Sequence, residues 1–122
     1  MSIDQTLARV RHSLDRLTAS QARQAHYDGA LLVDIRPDIN RATEGAIPGA
    51  LVIDRNVLEW RLDPTSKTSI TEASYDAWVV LFCNEGYASS LAASSLQALG
   101  IERATDLIGG FRAWRAAGLP VA

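Results

Sequence analysis

The sequence predicts an α/β protein: a three-layer α/β/α sandwich around a central, mostly parallel sheet of about five strands, with an extra helix at the N-terminus. Short apolar runs of strand-forming residues alternate with segments whose apolar residues recur at helical spacing, the order that builds βαβ units with right-handed crossovers. The run AWVVLF at residues 77–82 is apolar on both faces, as a strand covered by helices on each side must be. No repeat period and no low-complexity linker interrupts the chain, so residues 1–122 are expected to form a single domain.

Ile3, Leu7, Val10, Leu14 and Leu17 recur at helical spacing with charged residues between them, which predicts an amphipathic helix over about residues 1–16. Thr18 or Ser20 is placed to cap a second helix running toward Tyr27, ended by Asp28 and Gly29. ALLVDI, residues 30–35, reads as a strand stopped by Pro37, and GALVID, residues 49–54, as another after the turn signal EGAIPG. NVLEWRLDP is a helical turn or an irregular excursion, and TEASYDA a short helix. After the strand at 77–82, SSLAASSLQALG reads as a helix with Gly100 as its stop. ATDLIG reads as a last short strand, and FRAWRAAG as a final helix ended by Gly118 and Pro120.

Composition removes several function classes. A net charge of −2, with scattered basic residues, argues against a nucleic-acid surface. No window reaches the apolar length of a membrane span, and the mixed-charge N-terminus has no apolar signal core. The chain therefore reads as cytoplasmic. Its single cysteine forms no intramolecular disulfide and no cysteine zinc cluster, leaving one free thiol.

That thiol, Cys83, falls where the strand at 77–82 gives way to a helix. Ligands of open parallel sheets bind at that edge. The first N–H groups of a helix have no intrahelical partner and, with the helix dipole, favour an anion such as a thiolate. Gly86 lets the loop curl its amides around one centre, and Ser89 or Ser90 is placed to cap the helix. The competing reading is a small cysteine filling the core, since free cysteine is among the most buried residue types.

Four motifs in order resemble a single-domain rhodanese, of the rhodanese-like sulfurtransferase family, from about Leu17 onward. LLVDIRP is similar to the family's strand ending in Asp-hydrophobic-Arg, and EGAIPGA to its Gly-His-Ile-Pro-Gly-Ala turn. CNEGYASS resembles the catalytic loop Cys-x-x-Gly-x-Arg-Ser at Cys83, Gly86 and Ser89, and LIGGFRAWRAAGLPV the closing signature. The resemblance implies a rhodanese-like fold, with residues 1–16 outside the match. It also implies a double displacement: a donor such as thiosulfate or a persulfide passes its outer sulfur to Cys83, and the Cys83 persulfide passes it on. The acceptor is a thiol or cyanide, a protein thiol included. Asn84, Glu85, Gly86, Tyr87, Ala88 and Ser89 form the substrate-binding loop in this reading, with Asp34 and Arg36 as supports. No metal or organic cofactor is required.

The chain departs from the family pattern at two places, Ala88 and Ala46. Ala88 stands where arginine is usual, and alanine has no bidentate grip on a sulfonate or phosphate. Glu85 puts a carboxylate in the loop, where it repels a dianion. Ala46 replaces the histidine of the turn. A binding or regulatory module with the same fold is therefore an alternative. A cysteine phosphatase or arsenate reductase is a weaker one, because those loops run Cys-x5-Arg and Ser89 occupies that offset here.

Around the loop, Arg36 either faces the pocket or, more simply, pairs with Glu44 to pin the turn. Asp34 reads as a hydrogen-bonded backbone support. Arg55 or Arg61 is placed to reach over the loop, Trp60 to wall the pocket or, more simply, to anchor the excursion in the core, and Tyr87 to shield the sulfur or meet a partner. Trp78 and Trp114 read as core; His12 and His26, both isolated, have no expected chemical role.

Overall fold

A computed structural model describes all of residues 1–122. The helices and strands are α1 (Ile3–Arg11), α2 (Ala19–Tyr27), β1 (Leu31–Asp34), α3 (Asp38–Glu44), β2 (Leu51–Val52), α4 (Leu58–Leu62), β3 (Val79–Phe82), α5 (Ala88–Ala98), β4 (Thr105–Asp106) and α6 (Gly110–Ala116). A 3-10 turn, Arg55–Val57, leads into α4. The sheet is wholly parallel in the order β2-β1-β3-β4, with Leu31 opposite Val79 and Asp34 opposite Phe82 at its centre.

Alternation along the strands explains why the central run is apolar throughout. Val33, Val79 and Leu81 face one layer, where they pack with Leu58 and Leu62 of α4 and with Ala92, Ala93 and Leu96 of α5. Leu32, Val80 and Phe82 face the other, against Ala22 and Ala25 of α2 and Phe111 and Trp114 of α6. The small residues of α2 and α5 let both helices sit close on the sheet, and α1 packs outside α5.

The sheet has four strands, not about five. Beyond β4 the edge is extended only by one parallel bridge between Leu17 and Leu107, closed by Leu17 N–H to the Asp106 carbonyl at 3.1 Å and Ile108 N–H to the Leu17 carbonyl at 2.8 Å. This bridge also corrects the first helix. Ser2 starts α1 with a capping box, but the helix ends at Arg11, and the next three residues turn on shorter-range bonds so that Leu14 enters the core and Leu17 joins the sheet.

Thr18 caps α2, again with a capping box. Helix α3, unpredicted, starts immediately after Pro37; none of its residues is buried, so no apolar stripe marked it. TEASYDA forms turns and no helix. Neither Ser89 nor Ser90 caps α5: the cap position is Tyr87, without a side-chain bond, because both hydroxyls are drawn inward by a buried carboxylate.

Candidate active site

Cys83 immediately follows β3, at the carboxyl edge of the sheet, and the loop through Tyr87 carries the chain into α5. Cys83 is half-buried, and its sulfur is met by two backbone donors, Gly86 N–H at 3.2 Å and Ser89 N–H at 3.4 Å. Such donors stabilise negative charge on the sulfur they face. Ser89 has one hydroxyl proton and gives it to Asp106 at 2.7 Å, so its oxygen accepts from the Cys83 thiol, 3.3 Å away. Asn84, Glu85, Tyr87 and Ala88 line the shallow cleft above the sulfur.

Glycines give the loop its shape. Gly86 sits at φ +89°, and a Cβ there would meet the Gly109 nitrogen at 2.6 Å. Gly110, at φ +63°, brings the start of α6 so close that a Cβ would lie 2.5 Å from the Cys83 carbonyl oxygen. That approach lets Phe111 N–H donate to the Cys83 carbonyl at 2.9 Å and Arg112 N–H to the Asn84 carbonyl at 3.1 Å.

Behind the loop lies a buried polar group that sequence reasoning missed. Asp106 of β4 is fully buried and accepts from Ser89 Oγ, from Ser90 Oγ at 2.8 Å, and from Arg16 Nε at 2.7 Å and Nη2 at 3.2 Å. Arg16 Nη2 also donates to the Gly86 carbonyl at 3.1 Å. Arg11 of α1 donates to the same carbonyl at 2.8 Å through Nη2, and to Ser90 Oγ at 3.0 Å through Nε. A carboxylate inside the strand segment ATDLIG was the available signal, since buried acids are almost always paired. Nothing in the mixed-charge N-terminal segment distinguished Arg11 and Arg16 from a solvated face.

On the other side, Arg36 is buried and corrects the expected pairing with Glu44. Its partner is Asp34, and it reaches the turn through the Gly45 carbonyl at 2.9 Å and the loop through Asn84 Oδ1 at 3.3 Å. Asp34 also accepts from the Arg36 backbone N–H at 2.9 Å and pairs with Arg41. Glu44 instead accepts from Asn84 Nδ2 at 2.8 Å and from Arg112 Nε at 3.2 Å. The hydrogen bond from Arg112, together with that from Asn84, holds the Glu44 carboxyl below the ordinary 4.5, and Glu44 in turn raises the Arg112 guanidinium. Arg112 Nη1 also meets the exposed Glu85 at 3.0 Å, so the loop carboxylate is paired. Ala46, in place of the turn histidine, exchanges backbone bonds with Ala122.

The remaining candidates lie elsewhere. Arg55 pairs with Glu59 and Arg61 donates to the Thr68 carbonyl, so neither reaches over the loop. Trp60 is 61% exposed and anchors no core, whereas Trp114 is buried and donates to the Pro120 carbonyl. Trp78 packs partly buried against the core, under the Arg103 guanidinium. Tyr87 is exposed at the cleft, His12 is exposed at the end of α1, and the His26 ring packs against Gly49. No group of three or more His, Cys, Asp or Glu side chains gathers to hold a metal ion, and no helix is long and apolar enough to cross a membrane.

A parallel sheet with a cysteine loop at its carboxyl edge is the arrangement of a rhodanese-type α/β protein, and comparison with known proteins shows that family. The rhodanese-like domain family matches residues 18–117, and the chain belongs to that family. It is 34% identical to the thiosulfate sulfurtransferase GlpE of Ectopseudomonas mendocina, over 83% of this chain and 84% of that protein. A sulfurtransferase of Allochromatium vinosum is also 34% identical, over 90% and 94%. Among solved structures, a protein of unknown function from Rhodopseudomonas palustris, RPA3614, described as a possible tyrosine phosphatase, superposes with a TM-score of 0.90 at 33% identity. That match covers all of this chain and 95% of the other. The rhodanese-like domain of the Anabaena protein Alr3790 superposes with a TM-score of 0.71 at 21% identity, covering 88% of this chain and 77% of that one.

Proposed function

We propose that the protein is a sulfurtransferase that carries a sulfane sulfur on Cys83, with residues 83–89 as its substrate loop. The Cys83 thiolate attacks the outer sulfur of the donor; the donor's sulfur–sulfur bond breaks and its electron pair leaves with sulfite or a thiolate. An acceptor thiolate or cyanide then attacks the outer sulfur of the Cys83 persulfide and returns the thiolate. The observation that carries this reading is the convergence of the Gly86 and Ser89 amides on the Cys83 sulfur. Donors fixed before the reaction stabilise negative sulfur without reorganising, and a covalent intermediate divides one difficult transfer into two easier ones. The relatives named as sulfurtransferases support the same reading.

The charge layout favours a persulfide donor over the thiosulfate dianion. Arg112 is held by Glu85 and Glu44, Arg36 by Asp34, and Arg11 and Arg16 by the Gly86 carbonyl, while Ala88 adds no cation to the cleft. Intact-mass analysis after incubation with glutathione persulfide or thiosulfate tests the proposal. One added sulfur atom is expected, faster from the persulfide, and none in Cys83→Ser. A wild-type protein that takes sulfur from neither donor supports the binding module instead. The phosphatase reading lacks its arginine: Ser89 holds that offset and gives its hydroxyl proton to Asp106.

A further inference from the structure

We propose that Arg11 and Arg16 are positioning residues for the Cys83 loop, gripping the Gly86 carbonyl from behind so that the loop amides stay aimed at the sulfur. The inference rests on the reading of Cys83 as the sulfur-carrying nucleophile and adds a device to it. One carbonyl accepts from two guanidinium groups, at 2.8 Å from Arg11 and 3.1 Å from Arg16. Each is a charge-assisted bond, stronger than a neutral one. The carbonyl belongs to the residue whose N–H meets the sulfur at 3.2 Å. Glycine restrains its own backbone least, so a Gly86 held at φ +89° gains most from an external hold.

The grip is itself braced. Asp106 fixes the Arg16 fork at 2.7 and 3.2 Å and draws in both serine hydroxyls, and Ser90 Oγ receives Arg11 Nε at 3.0 Å. The bridge between Leu17 and Leu107 sets Arg16 beside Asp106, one residue earlier on each side. Arg11 comes from the last turn of α1, which packs on α5. Both arginines precede residues 18–117, the part matched by the family, and the loop's own position 88 holds alanine. The N-terminal segment thus supplies to the back of the loop two cations that the loop lacks.

The charged groups around the sulfur are Arg11 of α1, Arg16 before α2, Asp106 of β4 acting through Ser89, Glu85 with its partner Arg112 of α6, and Arg36 after β1 and Glu44 of α3, both acting through Asn84. Replacing Arg11 removes a cation and half of the grip. Both losses disfavour the thiolate.

Cys83 is the only cysteine, so its alkylation by iodoacetamide reports on that residue alone. The rate is measured against pH for the wild type, Arg11→Gln, Arg11→Lys, Arg16→Lys and the exposed control Arg9→Gln. The plateau rate reports access and the midpoint reports ionisation, which separates a loosened loop from a less stabilised thiolate. Arg11 makes no bond to Asp106, so its replacement strands no buried carboxylate. The midpoint is expected to rise in Arg11→Gln, by less in Arg11→Lys, and not at all in Arg9→Gln, with the melting temperature of Arg11→Lys close to wild type. Sulfur loading by glutathione persulfide slows in the same order. If Arg11→Gln does not fold, the midpoints of Arg11→Lys and Arg16→Lys decide. Midpoints equal to wild type in both arginine positions overturn the proposal, even if sulfur loading is intact. A wild type that takes no sulfur but shows the midpoint shifts leaves the positioning standing and removes the sulfurtransferase reading.

Discussion

Asp34 and Arg36, two residues apart, form a buried ion pair of 2.8 Å with both side chains 1% exposed, and the guanidinium lies 4.0 Å from the centroid of the Phe111 ring. The pair joins β1 to the turn at Gly45 and to Asn84 of the cysteine loop. Removing one partner leaves the other charge in the core, where water does not repay it. Arg36→Met is therefore expected to cost about 3 kcal/mol, read as a lower urea midpoint at unchanged slope, and to slow sulfur loading because Asn84 loses its donor. Stability equal to wild type would mean that Arg41, 3.3 Å from Asp34, suffices to neutralise the acid.

Gly86→Ala tests the loop's shape. The new methyl meets the Gly109 nitrogen at 2.6 Å and the residue must hold φ +89°. A loss of about 1–3 kcal/mol, seen in thermal unfolding, should accompany a drop in persulfide formation by intact mass. A variant with wild-type loading would show that the φ +89° conformation at residue 86 is not needed to load sulfur.

Ala88→Arg places a guanidinium at the exposed start of α5, on the cleft wall. Turnover with thiosulfate should rise, because a cation then lies where sulfite develops charge, and turnover with a persulfide donor should change less. Equal turnover with thiosulfate in both proteins would show that the alanine at position 88 does not limit use of an oxyanion donor.

Acid should weaken the link between α3 and α6. Glu44 titrates below 4.5 in the folded protein, chiefly through its hydrogen bond from Arg112. A depressed carboxyl contributes stability that is present above its unfolded value and lost as pH falls through the folded one. The melting temperature of Arg112→Met should therefore lie below that of wild type at neutral pH, and the gap should close as pH drops beneath 4.5. A gap that persists under acid would assign the difference to lost packing.

Thr105 offers a test independent of the site. Its hydroxyl is buried without a hydrogen-bond partner. Thr105→Val keeps the shape and removes the unpaired group, so stability should rise by about 1 kcal/mol in a urea titration, with sulfur loading unaltered.

Much of this was legible in the sequence because the signals were local. Alternation along Val79–Phe82 and the strand-to-helix junction at Cys83 both follow from adjacent residues. Helix α3 left no trace because a short helix with no buried residue has no apolar stripe. The grip on Gly86 was hidden for another reason: Arg11 and Arg16 lie 75 and 70 residues away from it in the chain. The Leu17 bridge and the packing of α1 on α5 bring the two segments together, and neither leaves a pattern in adjacent residues to read. The end of α1 was overextended for the same cause, since Leu14 and Leu17 keep helical spacing while serving the core and the sheet.

The sheet's narrow margins bear on how the protein behaves when concentrated. β2 and β4 are two residues long, and the far side of β4 is already occupied at Leu107. A fibril or a strand-swapped pair grows by docking a foreign backbone along a free edge, and so short an edge gives such an intruder almost no ladder to climb.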